Sequence, residues 1–189
     1  MRKKEEKKQL SLTKQVLSFI AAKCIEAGAG LITATVNSIE YPHVFPEFVE
    51  GIRAERAYWE HKRVHRAIQE LHRHKFITMR KKGNKLVIQL TEDGRIHYLR
   101  QQIQCASSCI PGECIMVTFD IPEAARSARL HFRRFLKDCN FYQLQKSVWV
   151  CEKAVLPNLL QFIDITNVGQ WVHAFVAKEV KHPKLKKKK

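Results

Sequence analysis

At 189 residues, 45% hydrophobic and 28% charged, the chain has room for one large domain or two small ones, and its composition excludes a disordered basic protein. Thirty-four Lys and Arg against 18 Asp and Glu leave a formal charge of +16, which favours nucleic acid, an anionic membrane surface or another acidic partner. No run approaches the ~18 consecutive apolar residues of a membrane-spanning helix, and Leu12 to Ala22 is interrupted by Thr13, Lys14, Gln15 and Ser18, so neither a membrane span nor a signal peptide is expected and the protein reads as cytoplasmic.

Residues 1–10 form a charge-mixed tail. From Thr13 to Ala27 the apolar positions Val16, Leu17, Ile20, Ala21, Cys24 and Ala27 recur at three and four, the period of an amphipathic helix, and Gly28 and Gly30 end it. Leu31 to Gly51 begins with β-branched residues and continues through Tyr41, Pro42 and Pro46; it reads as a loop or a short helical connection. Ile52 to Lys75 reads as a helix with Trp59 as the place for a break.

The second part of that helix and the segment after it hold half of the net charge. Between His61 and Lys85 nine basic residues (Lys62, Arg63, Arg66, Arg73, Lys75, Arg80, Lys81, Lys82 and Lys85) face one acid, Glu70. Val64, Ile68 and Leu71, with Ala67 beside them, form an inward stripe. Arg63, Arg66 and Arg73 then fall on one outward row and Lys62, His65, Gln69 and His72 on the next. Phe76 to Met79 and Leu86 to Leu90 read as strands joined by a tight turn at Gly83-Asn84, with Arg80, Lys81, Lys82 and Lys85 at the tip. Thr91 is the expected N-cap of a helix carrying Ile96, Leu99 and Ile103. A helix able to enter a groove beside a hairpin able to lie along a phosphate backbone is the layout of a winged helix on double-stranded DNA. In that layout Arg63 and Arg66 suit guanine, Gln69 suits adenine, and the hairpin cations suit phosphates.

Cys105 to Gly112 (CASSCIPG) has the small, polar, Pro-Gly-closed character of a boundary. Beyond it, Cys114 to Phe119 reads as a buried strand. A helix opens at Pro122, with Ala125, Ala128, Phe132, Leu136 and Cys139 inward and Arg126, Arg129, Arg133 and Lys137 on the opposite side, and Asn140 is its left-handed stop. Strands at Phe141 to Gln145 and Ser147 to Cys151, a helix at Val155 to Ile163 and a strand at Gln170 to Val180 complete a β-α-β-β-α-β order, the ferredoxin-like arrangement. From 113 to 180 eight basic residues meet seven acids, so this half is nearly neutral. His182 to Lys189 is a basic, low-complexity extension.

The six cysteines read as reduced thiols, with Cys24, Cys139 and Cys151 in core positions. The spacing of Cys105, Cys109 and Cys114 fits no common zinc pattern, and His61 with His65 lacks a third ligand, so no metal site is expected.

Val64 to Ile77 (VHRAIQELHRHKFI), the hairpin and Leu90 to Gly94 (LTEDG) resemble the winged-helix part of the PaaX-like repressors. Phe119 to Glu123 (FDIPE) with Arg126 and Arg129, then Phe141, Leu144-Gln145 and Ser147 to Val150 (SVWV), resemble the central domain of that family. That domain is also similar to the small, non-integrase subunit of the CRISPR spacer-acquisition complex. The similarity runs from about residue 60 to 180. It implies an α+β chain with a winged helix-turn-helix domain over 11–104, including a linker helix, and a ferredoxin-like dimerisation domain over 113–180. The function implied is a homodimeric, repressor-type DNA-binding regulator without cofactor; no effector is carried over. The CRISPR likeness implies an alternative, a Mg²⁺-dependent endonuclease in which Asp120 holds the metal across the dimer, or a non-catalytic adaptation subunit whose Arg126, Arg129, Arg133 and Lys137 stripe meets DNA. Asp120 equally suits a cap for the helix after Pro122.

Overall fold

The computed structural model describes residues 11–26, 31–35, 54–82, 85–178 and 180, in a chain that divides into two compact units, Met1–Tyr98 and Leu99–Lys189. The protein is mixed α and β, with sheet concentrated in the second unit. No described helix is long and apolar enough to cross a membrane.

In the first unit, α1 (Leu12–Glu26) precedes β1 (Leu31–Thr35), and α2 (Ala54–Arg73) precedes the hairpin of β2 (Ile77–Lys82) and β3 (Lys85–Leu90). Helix α3 (Glu92–Cys105) follows, and the boundary between the units falls within it. The apolar period of α1 buries Val16, Leu17, Ile20, Ala21 and Cys24 against Val64, Ala67, Ile68 and Leu71 of α2, with Ile77, Leu86, Ile88 and Leu90 of the hairpin closing the core. The strands form one antiparallel sheet in the order β1-β3-β2.

Three sequence expectations change here. Leu31–Thr35 is a strand rather than a loop or helical connection, pairing with β3 from Leu31 opposite Gln89 to Thr35 opposite Lys85. Its β-branched residues have the preference for that state, but the partner that satisfies the backbone lies fifty or more residues away. Residues 36–53, the rest of that stretch, lie outside the described residues. Helix α2 passes Trp59 unbroken. The hairpin is longer than its apolar alternation indicated, because Arg80, Lys81 and Lys82 continue the ladder opposite Val87, Leu86 and Lys85.

In the second unit, β4 (Glu113–Phe119), α4 (Arg126–Asp138), β5 (Tyr142–Gln145), β6 (Val148–Cys151), α5 (Leu156–Ile165) and β7 (Val172–Lys178) follow the β-α-β-β-α-β order. The sheet is antiparallel in the order β5-β6-β4-β7. Phe132, Phe135 and Leu136 of α4 and Leu159, Phe162 and Ile163 of α5 are buried, with Phe119 edge-on to Phe132 and Phe162 stacked on Phe135. Leu99 and Ile103 of α3 are buried as expected. Arg100 meets Asp138 at 3.4 Å and lies over the Phe135 ring, and the Gln104 side-chain amide donates to Asp138 O at 2.7 Å.

Helices α2, α4 and α5 stop in the same way. Phe76, Phe141 and Val168 donate their N–H groups to Leu71, Leu136 and Ile163, five residues back, and the preceding Lys75, Asn140 and Asn167 sit at φ of 60°, 62° and 52°. These are Schellman stops, each with the apolar pair that accompanies them. Asn140 was legible as the left-handed residue; Lys75 was not, because lysine carries no such preference.

Candidate nucleic-acid interface

Helix α2 is held on one side and open on the other. Its buried stripe places Arg63, Arg66, Gln69 and Arg73 at the surface, and His65 is half-buried. The sole acid of the basic stretch, Glu70, accepts a hydrogen bond from the Thr13 hydroxyl of α1 at 2.8 Å. That bond ties the two helices together and gives the carboxylate a local partner. The Lys62, Lys82 and Lys85 side chains lie outside the described part.

The hairpin does not present its cations on one surface. Side chains alternate along a strand, and Ile77 and Met79, opposite Leu90 and Ile88, face the core. Lys81, opposite the buried Leu86, falls on that same side, whereas Arg80 falls on the outward side with Val87. Both basic residues are exposed. A polyanion lying on the outward side of the hairpin therefore meets Arg80 directly, and Lys81 from the edge.

What fixes α2 relative to the hairpin is the LTEDG segment. Thr91 N–H donates to Phe76 O at 3.0 Å, and its hydroxyl lies 2.7 Å from Lys75 O and 3.0 Å from Phe76 O. The same hydroxyl accepts from Gly94 N–H at 3.0 Å, the N-cap bond expected of Thr91. Gly94 is required by space: a Cβ there would stand 2.0 Å from Phe76 O and 2.9 Å from Leu90 Cδ1. Glu92 and Asp93 occupy the first turn of α3, where acids suit the helix dipole. With His72, Lys75, Ile77, Thr78 and Thr91 they line an open cavity of about 600 Å³, so the positive surface ends in carboxylates near the C-terminus of α2.

In the second unit Asp120 follows the last residue of β4 and is exposed, its N–H donating to Trp171 O at 2.9 Å. It does not cap the next helix. A 3-10 turn at Glu123–Ala125 with Pro122 at its N-cap comes first, α4 starts at Arg126 behind Ala125, and neither start has a side-chain cap. The donor set around Asp120 does not suit Mg²⁺ within one chain: a hard cation wants several oxygens, and no cluster of three ligating side chains exists among the described residues.

Half of the basic stripe of α4, Arg129 and Arg133, is not on the solvated face that its period indicates. Arg129 donates to Ile121 O at 3.2 Å and pairs with Glu123, which also lies 3.8 Å from Arg126. Arg133 donates to Lys146 O at 3.0 Å and stands over the Phe119 ring at 5.6 Å. The two guanidinium groups tie α4 to the segment after β4 and to the turn between β5 and β6. Arg126 and Lys137 are exposed. Of the expected inward residues Phe132, Leu136 and Cys139 are buried and Ala125 and Ala128 half-buried, while Phe135, not assigned to that side, is fully buried; its spacing from Phe132 was the available signal.

Cys24, Cys139 and Cys151 are buried, as their apolar surroundings indicated, and burial pushes the Cys139 thiol up to about 12. Cys114 is buried too, whereas Cys109 is half-buried and Cys105 exposed.

Against known families, residues 111–188 match the model described as the PaaX protein central Cas2-like domain. No curated protein matches the chain.

Proposed function

Taking the chain as PaaX-like through residues 111–188, we propose that it is a repressor-type transcriptional regulator that binds double-stranded DNA as a homodimer, with α2 as the recognition helix and the β2-β3 hairpin as a wing. The observation that carries the reading is the exposure of Arg63, Arg66, Gln69 and Arg73 on a helix whose other side is built into a core, next to a basic antiparallel hairpin. A groove-reading helix needs that combination, because base contacts depend on a backbone that does not move when the cations are engaged. The order α1, β1, α2, β2, β3 with β1 beside β3 supports a winged helix; residues 36–53, where its second helix would have to lie, are outside the described residues.

Support for the homodimer comes from the second unit's sheet. Phe119 packs on Phe132, so Ile115, Val117 and Phe119 face the helices. The alternate residues, Met116 and Thr118 with Val148, Val150, His173 and Phe175 opposite or beside them, lie on the other side. The strand residues of β4 to β7 on that side include no Asp, Glu, Lys or Arg, and Phe175 and Tyr142 are exposed on it, while Val150 is covered. In a chain of charge +16 it is a surface on which two copies can meet without opposing like charges. Two-fold pairing would set two recognition helices on successive major grooves of a near-palindromic site.

The test is DNA binding by the Arg63→Ala, Arg66→Ala double variant. Specific binding should be lost while the protein remains a folded dimer, and the salt dependence of residual binding should be shallower by about two units of log–log slope if both residues contact phosphate as well as base. Operator affinity equal to wild type would remove the assignment. Incubating the same DNA with Mg²⁺ separates the nuclease alternative, which requires cleavage that disappears in Asp120→Asn.

A further inference from the structure

We infer that Glu70 reads a base: its carboxylate, held by Thr13 of α1, accepts from the N4 amino group of cytosine, a role that rests on the DNA-binding reading of α2. Residues 63, 66, 70 and 73 follow one another at i, i+3, i+7 and i+10, so Arg63, Arg66, Glu70 and Arg73 run along one side of the helix. All four are exposed. The one acid between His61 and Lys85 thus stands within the arginine row and not at its margin. On a face that bound phosphates alone, a carboxylate at that place would only repel the ligand.

The structure leaves that carboxylate charged and fixed. Arg66, four residues back, and Arg73, three ahead, are its neighbours on the helix surface, yet among the described residues Glu70 forms a salt bridge with neither. Its Oε2 accepts instead from the Thr13 hydroxyl at 2.8 Å. Four and seven residues on from Thr13, Leu17 and Ile20 are fully buried in the core that α1 shares with α2, so the hydroxyl is placed by that core. A bond from a neutral hydroxyl orients the carboxylate without cancelling its charge, and Oε1 remains an acceptor. In the major groove cytosine offers N4–H as a donor with no acceptor beside it. Adenine sets its N6 donor next to the N7 acceptor, which repels a carboxylate, and guanine and thymine present acceptors. A fixed anion therefore selects cytosine, while the arginines on either side of it suit O6 and N7 of neighbouring guanines.

Selection of bound sequences from a random duplex pool by the full-length protein tests this role. Wild type should yield a motif with a cytosine column that Glu70→Ala loses while the other columns persist, and Glu70→Gln should shift that column to adenine, the base that glutamine pairs with. Between duplexes that differ only there, wild type should prefer cytosine to thymine by about tenfold or more, and Glu70→Ala by less than about twofold. Thr13→Val should weaken the preference and Thr13→Ser retain it, each variant being folded by circular dichroism; a bond that served stability alone would leave base preference untouched. A motif unchanged by Glu70→Ala, or tighter binding of every duplex alike, as expected of a merely repelling charge, would overturn the role and leave the DNA-binding reading standing. A wild-type protein that selects no sequence, and whose duplex binding is indifferent to Arg63→Ala with Arg66→Ala, would remove both.

Discussion

Helices α2 and α4 are both amphipathic and rich in arginine, yet their basic rows end in different states. In α2, Arg66 and Arg73 are exposed and the buried stripe beneath them is purely apolar. In α4, Arg129 and Arg133 are folded back onto Ile121 O, Lys146 O, Glu123 and the Phe119 ring, with both Nε atoms buried. The cause is the neighbour. Irregular backbone beside α4 leaves carbonyls that need donors, and a long guanidinium can supply them while its stem covers apolar surface. A basic helical face is therefore evidence of a polyanion partner only where no adjacent loop consumes it.

The largest expected effect breaks the α2 side of this comparison at its base. Gly94→Ala puts a methyl group into Phe76 O and should cost about 3 kcal/mol or more. Chemical denaturation should show the loss in the first unit, together with weakened DNA binding, while the second unit unfolds as in wild type. A variant of wild-type stability would mean that the Thr91 junction yields without cost.

Next come the α4 clamps. Arg129→Ala and Arg133→Ala strand carbonyl partners and should each destabilise the second unit by about 1–3 kcal/mol, with DNA affinity changed less than about twofold. Arg126→Ala and Lys137→Ala, both at exposed positions, should stay within about 0.5 kcal/mol. Equal losses at all four positions would erase the distinction between clamped and solvated charge. The converse applies to α2: Arg66→Ala with Arg73→Ala should leave stability within about 0.5 kcal/mol of wild type and weaken DNA binding on the order of tenfold at moderate salt, read by titration of fluorescent duplex.

The smallest effect concerns the helix ends. The left-handed conformation costs lysine more than asparagine, and glycine gives back part of that gain as chain entropy. Lys75→Gly should therefore stabilise the first unit by about 0.5 kcal/mol, whereas Asn140→Gly should be near neutral, both read from denaturation midpoints.

Much of this protein was legible without coordinates because it depends on local period. The buried faces of α1, α2 and α3, the strands of the second unit, the Thr91 cap and the Asn140 stop all follow from residue spacing and from the preferences of single side chains. The candidate interface was legible as a set of residues: the one-sided charge of 61–85 is a property of composition and helical phase, and neither needs a fold.

Only the tertiary structure decided what that charge faces. β1 became a strand because β3 offered it a partner, and Arg80 and Lys81 were sent to opposite sides by a ladder longer than the apolar pattern. Gly94 was required by a carbonyl eighteen residues earlier, and half of the second arginine row was withdrawn from solvent by carbonyls that lie next to it in space. Phase along one helix is encoded within a few residues of sequence. The partner of a backbone carbonyl or a guanidinium is set by whichever segment packs alongside, and for the α4 row that partner took Arg129 and Arg133 out of the solvated face that the helical period indicates.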